Sequence, residues 1–157
     1  MFTRQKGMTL IEVMIVVCIV GILLAILAPR VGIFIEKSKS KTTYINISNL
    51  RLAISAYRSD YEEWPSVGDP DGDGNFSEHL TETNFIPLIV PEYIREIPIC
   101  LLRNALNNDD SSHVYFGGVP NNNGDATHGG WRYYAEPGTI TVNSTERDCM
   151  NTLYTEY

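Results

Sequence analysis

The chain has 157 residues, 12 Lys plus Arg against 19 Asp plus Glu, and a formal net charge of −7. A hydrophobic share of 43% with 20% charged residues is that of a folded protein, which excludes a disordered or collagen-like chain and leaves room for one domain with an appendage. The acidity argues against nucleic-acid binding, because a negative surface repels the phosphate backbone, and 3 Cys with 3 His are too few and too scattered for a zinc cage.

The apolar residues are unevenly placed. Residues 13–28 read VMIVVCIVGILLAILA, without a charge or strong polar group. As a helix this run is about 24 Å long, and about 31 Å from Met8, enough for a hydrocarbon core of about 30 Å. A short basic stretch, MFTRQKG, precedes it. A secretory signal peptide has this layout, but a cut after Ala28 would put Ile26 where a small residue is needed and leave Pro29 at the new terminus. A plain membrane anchor accounts for the length and leaves Glu12 unexplained. A carboxylate in such a helix costs about 2.5–3.5 kcal/mol at the bilayer centre and less near the interface, so it marks function unless it snorkels to the headgroups.

Glu12 sits in Gly7-Met8-Thr9-Leu10-Ile11-Glu12, and RQKG followed by MTLIEVMIVVCIVGILLAILAP resembles the precursors of the type IV pilin and type II secretion pseudopilin family. The resemblance implies a leader of residues 1–7, cut on the cytoplasmic side between Gly7 and Met8 by a prepilin peptidase that then methylates the Met8 amine. Phe is commoner than Met at that position in the family. Glu12 would register an incoming subunit against a growing helical filament of identical copies, and Gly21 with Pro29 would bracket a stretch that melts there. Gly21 and Ala25 also form a small-xxx-small pair that lets helices approach. Pro29 removes one backbone hydrogen bond and is expected to kink or open the helix. Beyond the span, Arg30, Lys37, Lys39 and Lys41 outnumber Arg4 and Lys6 before it, so charge counting does not assign orientation. The cytoplasmic N-terminus is taken from the resemblance.

The helix is expected to continue to Glu63. Ile47, Leu50, Ile54, Tyr57 and Tyr61 recur at steps of 3 and 4, one apolar face packed on a core. Trp64-Pro65 ends it. The apolar stretch 85–102 is broken by Pro87, Pro91 and Pro98 and predicts short helices or extended pieces. Residues 114–116, 131–135 and 139–142 read as strands, the last two joined by Glu136-Pro137-Gly138 as a hairpin. The predicted fold is therefore α+β: a transmembrane and filament-core helix (8–29), its amphipathic extension (30–63), and a pilin-like head (64–157) in which the helix packs on a small antiparallel β-sheet.

Asp69-Pro70-Asp71-Gly72-Asp73-Gly74-Asn75 matches the first half of an EF-hand-like loop, with Asp69, Asp71, Asp73 and Asn75 as calcium ligands, but the twelfth position is Leu80 rather than Glu. Asp and Gly are also common in ordinary surface turns. The resemblance to a secretion pseudopilin implies calcium in the C-terminal loop instead, where residues 121–125 read NNNGD. Cys100 and Cys149 both fall outside the membrane and could form a disulfide or remain two thiols; Cys18 lies in the span and cannot reach them. No catalytic motif is present, and calcium is the one cofactor the sequence offers. These features describe a filament subunit of the bacterial inner membrane, later periplasmic or extracellular, with the prepilin peptidase, the inner-membrane assembly machinery and lipid as partners and no nucleic acid. The alternative is a monomeric, membrane-anchored extracytoplasmic module that binds calcium or another ligand. In the major pseudopilin a proline such as Pro98 would precede Asp-Pro-Trp-Gly-Asn, whereas here Ile-Cys-Leu-Leu-Arg-Asn follows. A calorimetric titration with calcium checks both loops: a bound ion gives heat and raises the melting temperature, and neither signal removes them.

Overall fold

The computed structural model describes residues 7–68, 75–77, 79–102, 110–119 and 129–157. The chain divides into two compact units, one ending at Ile35 and one running from Glu36 to Tyr157.

Helix α1 spans Leu10–Tyr61. Within it Leu10–Ala28 has a mean hydropathy of 3.2 and is wholly exposed, as a membrane-spanning segment would be. The helix is continuous through position 29. A proline removes one backbone bond, and a helix of 52 residues retains intact turns on both sides.

In the second unit the predicted stripe is the packed face. Ile47, Leu50 and Ile54 are buried, Tyr57 is half-buried against the same core, and Tyr61 is exposed because the helix ends there. The chain leaves α1 at Glu62, which takes φ +60, with its amide on the Arg58 carbonyl at 2.8 Å. The Arg58 guanidinium then lies 4.1 Å over the Trp64 ring. Helix α2 (Glu82–Ile89) forms inside the proline-broken stretch and buries Phe85 and Ile89. Its start is fixed by Thr81 and Asn84, the Thr81 amide donating to Asn84 Oδ1 at 2.7 Å.

Strands β1 (Val114–Phe116), β2 (Trp131–Tyr134) and β3 (Thr139–Val142) form one sheet in that order. The β2–β3 hairpin is antiparallel, with Trp131 opposite Val142 and Tyr133 opposite Ile140. The β1–β2 pair is parallel, with Val114 opposite Trp131, so the sheet is mixed and not antiparallel as expected. A parallel return needs a crossover of about a dozen residues or more, and the long connection from 117 to 130 supplies it. Trp131, Tyr133, Ile140 and Val142 face the core with Ile47, Leu50 and Ile54 of α1, Phe85 of α2, and Tyr154 of a terminal 3₁₀ turn. Their polar tips are satisfied: Trp131 Nε1 donates to the Pro98 carbonyl at 2.7 Å and the Tyr133 hydroxyl to the Pro65 carbonyl at 3.1 Å.

Gly130 feeds β2 at φ +71, and a Cβ there would lie 2.4 Å from the His113 carbonyl oxygen. That oxygen accepts the Trp131 amide at 2.8 Å, so a side chain would force the β1–β2 pair apart. Gly130→Ala is expected to cost more than about 1 kcal/mol and lower the head's melting temperature by several degrees. Gly32→Ala, with open space around it, should leave that transition unchanged. Thermal unfolding of the two variants checks the contrast.

Candidate functional site

The start of α1 is built by its own side chains. Residues 7–9 are non-helical and exposed, and the helix begins at Leu10. The Thr9 amide donates to Glu12 Oε2 at 2.7 Å, the Thr9 hydroxyl donates to the same oxygen at 2.8 Å, and the Glu12 amide donates back to Thr9 Oγ1 at 3.3 Å. This reciprocal pair is a capping box with Thr9 at the N-cap and Glu12 at the third helical position. It was visible in the sequence as Thr-x-x-Glu before an apolar run, and reading Glu12 only as an intramembrane charge missed it. Oε2 carries the cap, while Oε1 makes no hydrogen bond among the described residues. The carboxylate of this exposed residue is therefore held in place through one oxygen.

Gly7 and Met8 lie one turn before that carboxylate, Met8 being 68% exposed. The Gly7–Met8 bond is thus in an accessible, non-helical stretch, as proteolysis requires. Gly21 sits on the open surface of α1, where an added Cβ would meet nothing within 4 Å. Helices can approach one another closely at such a position. Position 29 lies within α1.

The metal and cysteine sites expected from the sequence fare differently. Asp69, Asp71 and Asp73, like residues 121–125, lie outside the described residues, and Asn75 is exposed. Among the described residues no three His, Cys, Asp or Glu side chains converge as a metal site. Cys100 and Cys149 are free thiols, so the bridge weighed from the sequence is not formed. Cys100 is fully buried in the segment that pairs with Ser111, and burial together with the nearby Asp110 carboxylate pushes its thiol up, well out of the nucleophilic range. Cys149 instead places its sulfur 3.8 Å from the Ser40 hydroxyl of α1.

Sequence reasoning also missed how α1 grips the middle of the chain. The Thr43 hydroxyl donates to the Leu101 carbonyl at 2.7 Å and accepts the Leu101 amide at 2.9 Å. Asn46 Nδ2 donates to the Ile99 carbonyl at 2.8 Å, and Lys39 Nζ pairs with Asp110 at 2.7 Å. His113 lies 3.1 Å from Glu82 Oε1, the oxygen that also accepts the Val114 amide at 2.6 Å.

Residues 2–28 match the family model described as the prokaryotic N-terminal methylation motif. The N-terminal segment is that of the type IV pilin and type II secretion pseudopilin family. The chain is similar to the fimbrial protein EcpC of Eikenella corrodens, 40% identical over 40% of this chain and 40% of that protein. It is also similar to the type IV major pilin protein PilE1 of Neisseria gonorrhoeae, 32% identical over 54% of this chain and 42% of the relative. The type II secretion system core protein G of Escherichia coli (strain K12) is 27% identical over 59% of this chain and 60% of the relative. The matches therefore span about half the length of these relatives. No solved structure matches.

Within the pilin-type segment, Thr9→Val is expected to remove the cap at a cost of about 1 kcal/mol. In micelles this should read as faster amide hydrogen exchange through the first turn, 10–13, with the rest of α1 unchanged. A thiol titration of unreduced, denatured protein should return 3 thiols, the full cysteine complement.

Proposed function

We propose that the chain is the structural subunit of a type IV pilus-like filament or a type II secretion pseudopilus. It is cleaved after Gly7, methylated on the Met8 amine, held in the inner membrane as a single pass with a cytoplasmic N-terminus, and polymerised through α1. The observation that carries this reading is the carboxylate of Glu12, fixed at the mouth of an exposed apolar helix directly after a prepilin-type cleavage sequence. The prepilin peptidase and the inner-membrane assembly machinery are its partners before assembly, and neighbouring copies are its partners afterwards.

Physical chemistry gives Glu12 its task. Cleavage creates an α-amino group with an ordinary pKa of about 7.7–8.0, so it is largely cationic at neutral pH. Two unit charges 4 Å apart attract by about 4 kcal/mol at an effective dielectric of 20. That offsets the roughly 2.5–3.5 kcal/mol of placing a carboxylate among hydrocarbon. The offset exists only at the axial stagger where the amine of one copy meets Oε1 of another. Any other stagger leaves Glu12 buried against apolar side chains, so the pair selects register more than it adds stability. The cap on Oε2 supports this division of labour, since it orients the carboxylate before a partner arrives.

Similarity to both fimbrial proteins and a secretion core protein leaves the two filament types together in this proposal. Purified filament should begin at Met8, methylated, on N-terminal sequencing; an intact Met1 would end the proposal. Glu12→Ala should leave membrane insertion intact and reduce assembled filament at least tenfold, scored by shearing and immunoblot. Cysteine cross-linking along α1 should give intersubunit products, which a monomeric tether would not.

A further inference from the structure

The row Tyr115–Arg132–Thr141 crosses all three strands, since the register sets Arg132 beside Tyr115 of β1 and opposite Thr141 of β3. It lies on the sheet face away from the core, because Trp131, Tyr133, Ile140 and Val142 alternate with it and point inward. Even so, Arg132 is only 7% exposed. Its guanidinium has five donors. Nε donates to Asn143 Oδ1 at 2.9 Å and Nη1 to the Gly117 carbonyl, and the guanidinium carbon lies 5.6 Å from the centre of the Tyr115 ring. Asn143 is held in turn, its Nδ2 donating to the Gly129 carbonyl at 3.0 Å. Gly118, at φ +66, leaves room beside Nη1, where a Cβ would lie 3.2 Å away. The remaining donors, both of Nη2 among them, meet no acceptor among the described residues, and no carboxylate there pairs with the cation. Burial accordingly pulls the guanidinium pKa below its ordinary value. Directly opposite, Thr141 Oγ1 is buried and has no hydrogen-bond partner among the described residues. A buried cation without an anion and a buried hydroxyl without a partner are each costly. On the other face the Trp131 and Tyr133 tips are satisfied, so two such defects side by side point to a group that the sheet itself does not supply.

We propose that Arg132 and Thr141 form a binding site for a carboxylate. The open end of the guanidinium takes the two carboxylate oxygens as a fork, and the Thr141 hydroxyl donates to one of them. Charge balance selects the class of ligand. One cation neutralises one carboxylate, whereas a phosphoryl group carries about −1.5 to −2 charges at pH 7 and would be buried with part of its charge unanswered. The whole site lies within the unit from Glu36 to Tyr157 and does not depend on membrane anchoring or assembly. The carboxylate comes either from a small free acid or from an Asp or Glu side chain of a second copy, and the chemistry that recognises it is the same.

The full chain in detergent micelles is melted in about 0.1 M sodium acetate and in sodium chloride of equal ionic strength, so that screening is matched. Acetate should raise the head's melting temperature by about 3 °C relative to chloride. Arg132→Gln should abolish that difference. Thr141→Val should cut it by at least half, while its melting temperature in chloride stays level or rises, because an unpaired hydroxyl has been removed. Equal melting temperatures of the unsubstituted chain in the two salts overturn the proposal, as does an acetate effect undiminished in both variants. A larger rise in inorganic phosphate than in acetate also overturns it, since the site then takes a more highly charged anion. If Arg132→Gln does not fold, Thr141→Val decides by itself. Once the acetate effect is established, the source follows from melting in chloride. A melting temperature that rises with protein concentration, and does not in Arg132→Gln, supports a carboxylate of a second copy; one independent of concentration supports a free acid.

Discussion

The structure depends on an apolar helix that its own chain cannot cover. Leu10–Ala28 has a mean hydropathy of 3.2 and no buried surface, and the large apolar side chains along it are roughly half to three-quarters exposed. Hiding one such side chain from water is worth about 1.5–3 kcal/mol, so the segment as a whole is incompatible with an aqueous monomer. Lipid satisfies it at once. A bundle of identical helices satisfies it too, but because lipid tails are as apolar as leucine, moving from one to the other gains little from hydrophobicity and must be decided by packing and by polar contacts. This is why the proposed assembly role falls on a single carboxylate at the helix mouth, a polar group in the part of the molecule where polar groups are scarce.

The second unit uses a different stretch of α1 from the apolar one. From Glu36 onward, Ile47, Leu50 and Ile54 bury into the sheet. Thr43 and Asn46 supply to the extended stretch at 99–101 the hydrogen bonds that a strand would otherwise provide. That stretch has no ladder on that side, and unpaired backbone groups in a buried setting are costly. The polar residues of α1 thus act as an edge for it. Thr43 is fully buried, which makes this the least replaceable of the polar contacts on the helix.

Local signals carried much of this architecture into the sequence. The 3- and 4-residue spacing of Ile47, Leu50 and Ile54 marked the packed face, and alternating bulky residues with Glu136-Pro137-Gly138 marked the hairpin that β2 and β3 form. What was not legible depends on partners distant in the chain. Nothing in Val114-Tyr115-Phe116 tells which neighbour it takes or in which direction, and the parallel pairing with β2 emerged only from the fold. Thr43 and Asn46 look like solvent-facing residues of an amphipathic helix until the 99–101 segment is laid beside them. Two cysteines separated by nearly fifty residues carry no information about whether their sulfurs meet, and they are free. At the candidate site the prepilin-type motif was legible in full, while the cap was overlooked because a conspicuous functional motif hid an ordinary structural one in the same four residues.

That overlap has a consequence for how the site works. A carboxylate that only waited for a partner would be free to turn toward the headgroups, and its docking geometry would have to be found anew at each assembly step. Bonding one oxygen to the Thr9 amide and hydroxyl removes that freedom beforehand, and it also satisfies a backbone donor that the helix start would otherwise leave open. The ordering entropy is thus spent when the helix forms, before a neighbour arrives. In the assembly proposed above, Thr9 positions the carboxylate and the second oxygen of Glu12 is the one left to select where a Met8 amine released by cleavage would sit.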